Sequence, residues 1–96
     1  MTTKNSKLWT KVATLEQLLP IMEDLGDHWW KLGIKLKLSG AALRNINRDY
    51  RLTNEKTRAV LWEWMEHEGS DATIGLLAVA INTIGGTRTA QKLLGM

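Results

Sequence analysis

Hydrophobic residues recur at helical spacing along most of this chain, in blocks separated by polar residues and glycine. Thr14-Leu15-Glu16-Gln17 has the form of a capping box, in which Thr14 caps a helix and Gln17 reaches back. The helix it opens runs towards Leu25. Pro20 is expected to kink it or split it in two, because proline lacks an N–H and clashes with the preceding turn. Gly26 reads as its stop and Asp27 as the cap of a second helix. There Trp29, Leu32, Gly33 and Leu36 share one face at i, i+3, i+4 and i+7. Ser39 caps a third helix, with Leu43 and Ile46 inward and Arg44 and Arg48 outward. Residues 50–52 connect it to a fourth, capped by Thr53, whose stripe is Thr57, Val60, Leu61, Trp64 and Met65. Gly69 stops that helix, and Ser70 or Asp71 caps a fifth. Ile74, Leu77, Ala78, Ala80, Ile81 and Ile84 make the fifth helix apolar nearly all round, as a central helix is. Gly85-Gly86 breaks the chain before a short sixth helix ending near Leu94. Six short helices, short loops and no alternating strand pattern predict an all-α bundle. Residues 1–13 read as a flexible N-terminal arm with Trp9 as its one strong anchor.

Composition narrows the class. The chain has 96 residues, enough for one domain with one core. There is no cysteine, which excludes disulfides and thiolate metal sites and fits a reducing compartment. No apolar run reaches the roughly 18–20 residues that a membrane span needs. The polar stretch Met1 to Lys11 has no apolar core of a secretory signal. Met1 fits a natural start and an excised one equally.

Charge is unevenly spread. Between residues 31 and 58 stand eight basic residues (Lys31, Lys35, Lys37, Arg44, Arg48, Arg51, Lys56, Arg58) against Asp49 and Glu55. Between 63 and 71 stand Glu63, Glu66, Glu68 and Asp71 with no Lys or Arg. Opposed patches of this kind steer and orient protein partners.

Two segments resemble the death domain of the death-fold superfamily. The first, residues 25–39, has Leu25-Gly26, then Trp29, then Leu32 and Leu36, then Leu38-Ser39. The second has Leu61 and Trp64, a polar loop, Ala72-Thr73, then Leu77, Ala80 and Ile81. The resemblance covers residues 14–94, and the domain is assigned to 14–96. Three positions depart from the family pattern. Gly33 stands where Ala is usual, Ile34 where a polar residue is usual, and Lys37 where Gly is frequent. The spacing from Trp64 to Ala72-Thr73 favours the death domain over its sister, the caspase-recruitment domain. The resemblance implies a six-helix antiparallel Greek-key bundle. It also implies a non-catalytic adaptor in cytoplasmic signalling of the apoptotic or innate-immune type, binding other death-domain proteins homotypically, with a second copy of the chain among the candidates.

Expected core residues are Trp29, Leu32, Leu36, Leu61, Trp64, Leu77 and Ile81. The candidate partner-binding residues are a basic patch, Lys31, Lys35, Arg44 and Arg48, and an acidic patch, Glu63, Glu66, Glu68 and Asp71. Each residue taken singly also reads as part of a solvated face. A contact between unlike patches is heterologous and, repeated, grows a helical assembly. Trp30 and Trp62 fall off the inward stripes and are candidate exposed apolar contacts. For Trp30 and Ile34 the alternative is packing against Leu76 and Val79 of the fifth helix.

No catalytic, cofactor or metal site is expected. His28 and His67 have no ligand set around them, Asp27-His28 lacks a nucleophile, and Gly85-Gly86 does not follow a strand. A sequence pI near 9.5 keeps a second class open, a small basic helical nucleic-acid-binding protein. Against it, the acidic run after Glu63 repels phosphates and no row of Arg, Lys, Asn and Gln faces a groove.

Overall fold

The computed structural model describes residues 9–95, and over residues 15–95 six α-helices follow one another: α1 (Leu15–Leu25), α2 (Trp29–Lys35), α3 (Gly40–Asp49), α4 (Thr53–Glu68), α5 (Ile74–Thr83) and α6 (Thr87–Gly95); residues 9–10 are helical as well. Among the described residues there is no strand, only an isolated bridge between Val12 and Thr73. α1 packs on α4 and α6, α5 on α6, and α2 on α4, with lighter contacts to α3 and α5. One cluster of buried side chains joins all six helices. Trp29, Leu32, Leu36, Leu61, Trp64, Leu77 and Ile81 all belong to it. Thr57 is buried too, its hydroxyl satisfied by donation to the Thr53 carbonyl at 2.9 Å.

The helix starts are fixed by local chemistry. Thr14 and Gln17 form the capping box in both directions, and the Ser39 hydroxyl accepts from the Ala42 N–H at 3.0 Å. Gly26 closes α1 with a positive φ of 42°, and Gly85, at φ 96°, separates α5 from α6.

Four local expectations are corrected. Pro20 does not split α1, which runs through it as one helix. Asp27 lies in a short 3-10 turn, residues 26–28, and does not cap α2. Thr53 is the first residue of α4, and it is Glu55 that accepts from the Leu52 N–H at 3.2 Å. Ser70 and Asp71 belong to a second 3-10 turn, and Thr73 caps α5 by accepting from the Leu76 N–H at 3.3 Å. At α5 the run Ser70 to Thr73 held several competent acceptors, and packing of the helix chose Thr73 among them.

Of the N-terminal arm, residues 1–8 lie outside the described residues. Over the rest, Ala13 N–H donates to the Ala72 carbonyl and Ile74 N–H donates to the Lys11 carbonyl.

Candidate interaction surface

The α2–α3 face is built around a close approach. A side chain on Gly33 would collide with Leu43 of α3, which is itself fully buried. The glycine that departs from the family pattern is therefore the room into which Leu43 packs. One turn away, Lys56 of α4 crosses the same seam. Its Nζ sits 5.3 Å from the centroid of the Trp29 ring and donates to Asn47 Oδ1 of α3 at 2.7 Å. Lys56 thus ties α2, α3 and α4 together. Sequence alone counts it with the other surface cations.

These two ties fix the register of α2 against α3. Gly33 lies against Leu43, and the Trp29 end of α2 lies near Asn47. The helices therefore run antiparallel. Successive helix residues are about 100° apart, so Trp30 and Ile34 border the seam on the α2 bank and Arg44 and Arg48 on the α3 bank. All four are exposed, Trp30 at 37% and Ile34 at 57%. Trp30 also stands edge-on to Trp29, with centroids 5.4 Å apart. Leu76 and Val79 of α5 are exposed as well. Lys31 and Lys35 extend the basic surface further round α2 and are exposed.

The acidic residues lie on α4 and the turn after it. Glu63, Glu66 and Asp71 are exposed and Glu68 is half-buried. Trp62 is exposed beside Glu63 and one turn before Glu66. With Tyr50 and Arg58 it lines a groove of 740 Å³ between α3 and α4. Tyr50 was readable from sequence only as part of a connection. Its place in the groove depends on the angle between two helices, which no local pattern carries. Of the two charged sets, only Arg48 has an ion-pair partner among the described residues. Among the described residues the ion pairs are Arg48–Asp49 and Lys92–Asp24, both at 3.0 Å. Also among the described residues, no group of His, Cys, Asp and Glu could hold a metal ion, and no helix is long and apolar enough to cross a membrane.

The family model for the death domain matches residues 13–96. The chain belongs to the death-domain family. This family is one of protein-interaction modules, and its fold is the six-helix bundle seen here. The chain is also 36% identical over 76 residues to the human receptor-interacting serine/threonine-protein kinase 1. That match covers 76% of this chain and 11% of the kinase, so this death domain spans about a tenth of that relative's length. The kinase activity in that name belongs to that protein.

Membership explains Lys37. The α2 C-terminus closes in a Schellman motif, with Lys37 N–H donating to the Ile34 carbonyl and Leu38 N–H to the Gly33 carbonyl, both at 3.0 Å. The motif places its first residue beyond the helix in the left-handed region, and Lys37 has φ 69°. The frequent family glycine meets this demand without strain, and this chain meets it with a lysine.

Proposed function

We propose that this death domain is a homotypic adaptor module, which binds other death-fold domains by docking a basic α2–α3 face on an acidic α4 face. The reading rests most on one observation: the exposed seam of Trp30, Ile34, Arg44 and Arg48, in which Arg44 has no ion-pair partner among the described residues and Arg48 shares its charge with Asp49. An apolar centre rimmed by arginines is the usual make-up of a protein–protein contact. Arg pairs with carboxylates through a planar fork, which adds direction to attraction. The exposed face of α4 offers the complement, with Trp62 beside Glu63 and one turn before Glu66. The two faces differ, so the contact is heterologous and adds copies head to tail. Cytoplasmic signalling of the apoptotic or innate-immune type is the setting that the family relationship supports.

The test is light scattering coupled to size-exclusion chromatography, over a range of concentrations and at two salt levels. Screening shortens from about 10 Å at 0.1 M salt to about 3 Å at 1 M. Charge-driven assembly is expected to grow with concentration at low salt and revert to monomer at high salt. A mixture with random duplex DNA serves as the control. Binding to DNA, with no protein assembly and no binding to other death domains, would refute the adaptor reading.

A further inference from the structure

The start of α5 carries a feature separate from the charged surfaces. Residues 11–13 pass antiparallel to it, and residues 9 and 10 before them are helical. Ala13 N–H donates to the Ala72 carbonyl at 2.7 Å, Ile74 N–H donates to the Lys11 carbonyl at 2.9 Å, and Val12 bridges Thr73. The first N–H groups of a helix have no partner within it. Here Lys11 satisfies that of Ile74, and the Thr73 hydroxyl satisfies that of Leu76. Further out, the Trp9 indole lies on Gly75, so close that a Cβ there would overlap the ring. Gly75 is buried, although Leu76 and Val79 on the same side of α5 are exposed. Glycine inside a helix is intrinsically unfavourable. At this position the missing side chain is the space that the indole fills. Main-chain pairing plus a pocket for one side chain is a general way of holding an extended peptide.

We propose that the start of α5 is a peptide-binding cradle for a short extended segment preceded by a helical turn that bears a tryptophan, and that residues 9–13 are its intramolecular occupant. The main-chain bonds of the occupant to α5 include those of Ala13 and Lys11, Ala13 is buried, and the Trp9 indole remains 40% exposed. Exposed segments packed on the edge of a core open locally while the core stays folded. Tethering keeps the local concentration of the occupant high, so a competing segment in trans meets a filled cradle. Release of the strap uncovers Gly75 beside Leu76 and Val79 and leaves an uncharged apolar strip along α5.

Amide hydrogen exchange on the full chain tests this. Trp9→Ala is expected to speed exchange at the Ile74 amide by about tenfold or more, with the Leu61 amide in α4 unchanged. Gly75→Ala puts a methyl group where the indole lies and is expected to act likewise, although alanine is the better helix former. A peptide copying residues 7–14, at millimolar concentration, is expected to restore slow exchange of Ile74 in the Trp9→Ala protein and not in the Gly75→Ala protein. Three results would each overturn the proposal: unchanged Ile74 exchange in Trp9→Ala, equal acceleration at Leu61, or a peptide that restores no protection.

Discussion

Lys37→Gly is expected to stabilise the domain. Lys37 occupies the left-handed position of the Schellman motif at φ 69°, where an L-residue brings its Cβ too close to the neighbouring carbonyl. That conformation costs a side-chain-bearing residue roughly 1–2 kcal/mol. Glycine removes the cost but has more freedom to lose on folding, an offset of roughly 0.5–1 kcal/mol. The balance is a gain of about 0.5–1 kcal/mol, which in a domain of this size is a rise in Tm of about 2–8 °C. Lys37 is exposed, so substitution removes a charge and little packing. Lys37→Ala removes the same charge and keeps the Cβ, so it isolates the backbone effect. Thermal and urea unfolding of the three proteins, followed by circular dichroism, gives the comparison. Glycine above alanine and lysine, with the latter two within about 0.5 kcal/mol of each other, is the expected order. Equal stability of the glycine and alanine variants would refute the argument that the backbone at position 37 is strained.

Gly33→Ala is expected to destabilise, despite placing the usual family residue there, because its methyl meets Leu43 in a filled core. Overpacking costs roughly 1–3 kcal/mol, and helix propensity returns about 1 kcal/mol. Leu43→Ala alone should cost roughly 2–5 kcal/mol. In a urea-unfolding double-mutant cycle the pair should be less destabilised than the sum by about 1 kcal/mol, and strict additivity would argue against the close approach. Trp64→Ala should cost roughly 3–5 kcal/mol, since it empties a core position. Trp30→Ala should cost about 1 kcal/mol, the worth of its edge-on contact with Trp29. Equal losses at the two tryptophans would place Trp30 in the core.

The helices and the core were legible because both follow from one signal, the 3.6-residue recurrence of large apolar side chains. Trp29, Leu32 and Leu36 had to face inward together once α2 formed, as did Leu61 and Trp64 in α4. The caps at α2, α4 and α5 were less legible, because the energy that separates one Ser, Thr or Asp from the next is about 1 kcal/mol or less. Contacts between distant residues left only indirect traces. Gly33 was flagged by its departure from the family pattern, yet nothing local pointed to Leu43. Gly75, a glycine within an apolar helix, was the available sign of a close approach there, and its partner Trp9 lies far away in sequence. Lys56 shows the limit for charges. A lysine that holds Asn47 and the face of Trp29 is written in the same letter as one that points to water.

The binding surfaces were legible as charge and as off-stripe tryptophans, and not as a geometry. Lys31, Lys35, Arg44 and Arg48 stood out as a basic run. That Arg44 and Arg48 flank Trp30 and Ile34 depends on the antiparallel register of α2 and α3. This register is set by Gly33–Leu43 and by the Lys56 bridge.

A charge-swap experiment bears most directly on the proposal that unlike faces of this death domain dock on each other. Arg44→Glu with Arg48→Glu is expected to abolish association with the helical content unchanged, and Glu63→Arg with Glu66→Arg to do the same from the other side. Mixed, the intact acidic α4 of the first variant meets the intact basic α3 of the second, the two reversed faces also meet, and light scattering should show association recovered. Loss in each variant without recovery in the mixture would contradict pairing between these two faces, and unchanged association of the Arg44/Arg48 variant would remove the basic patch from the mechanism.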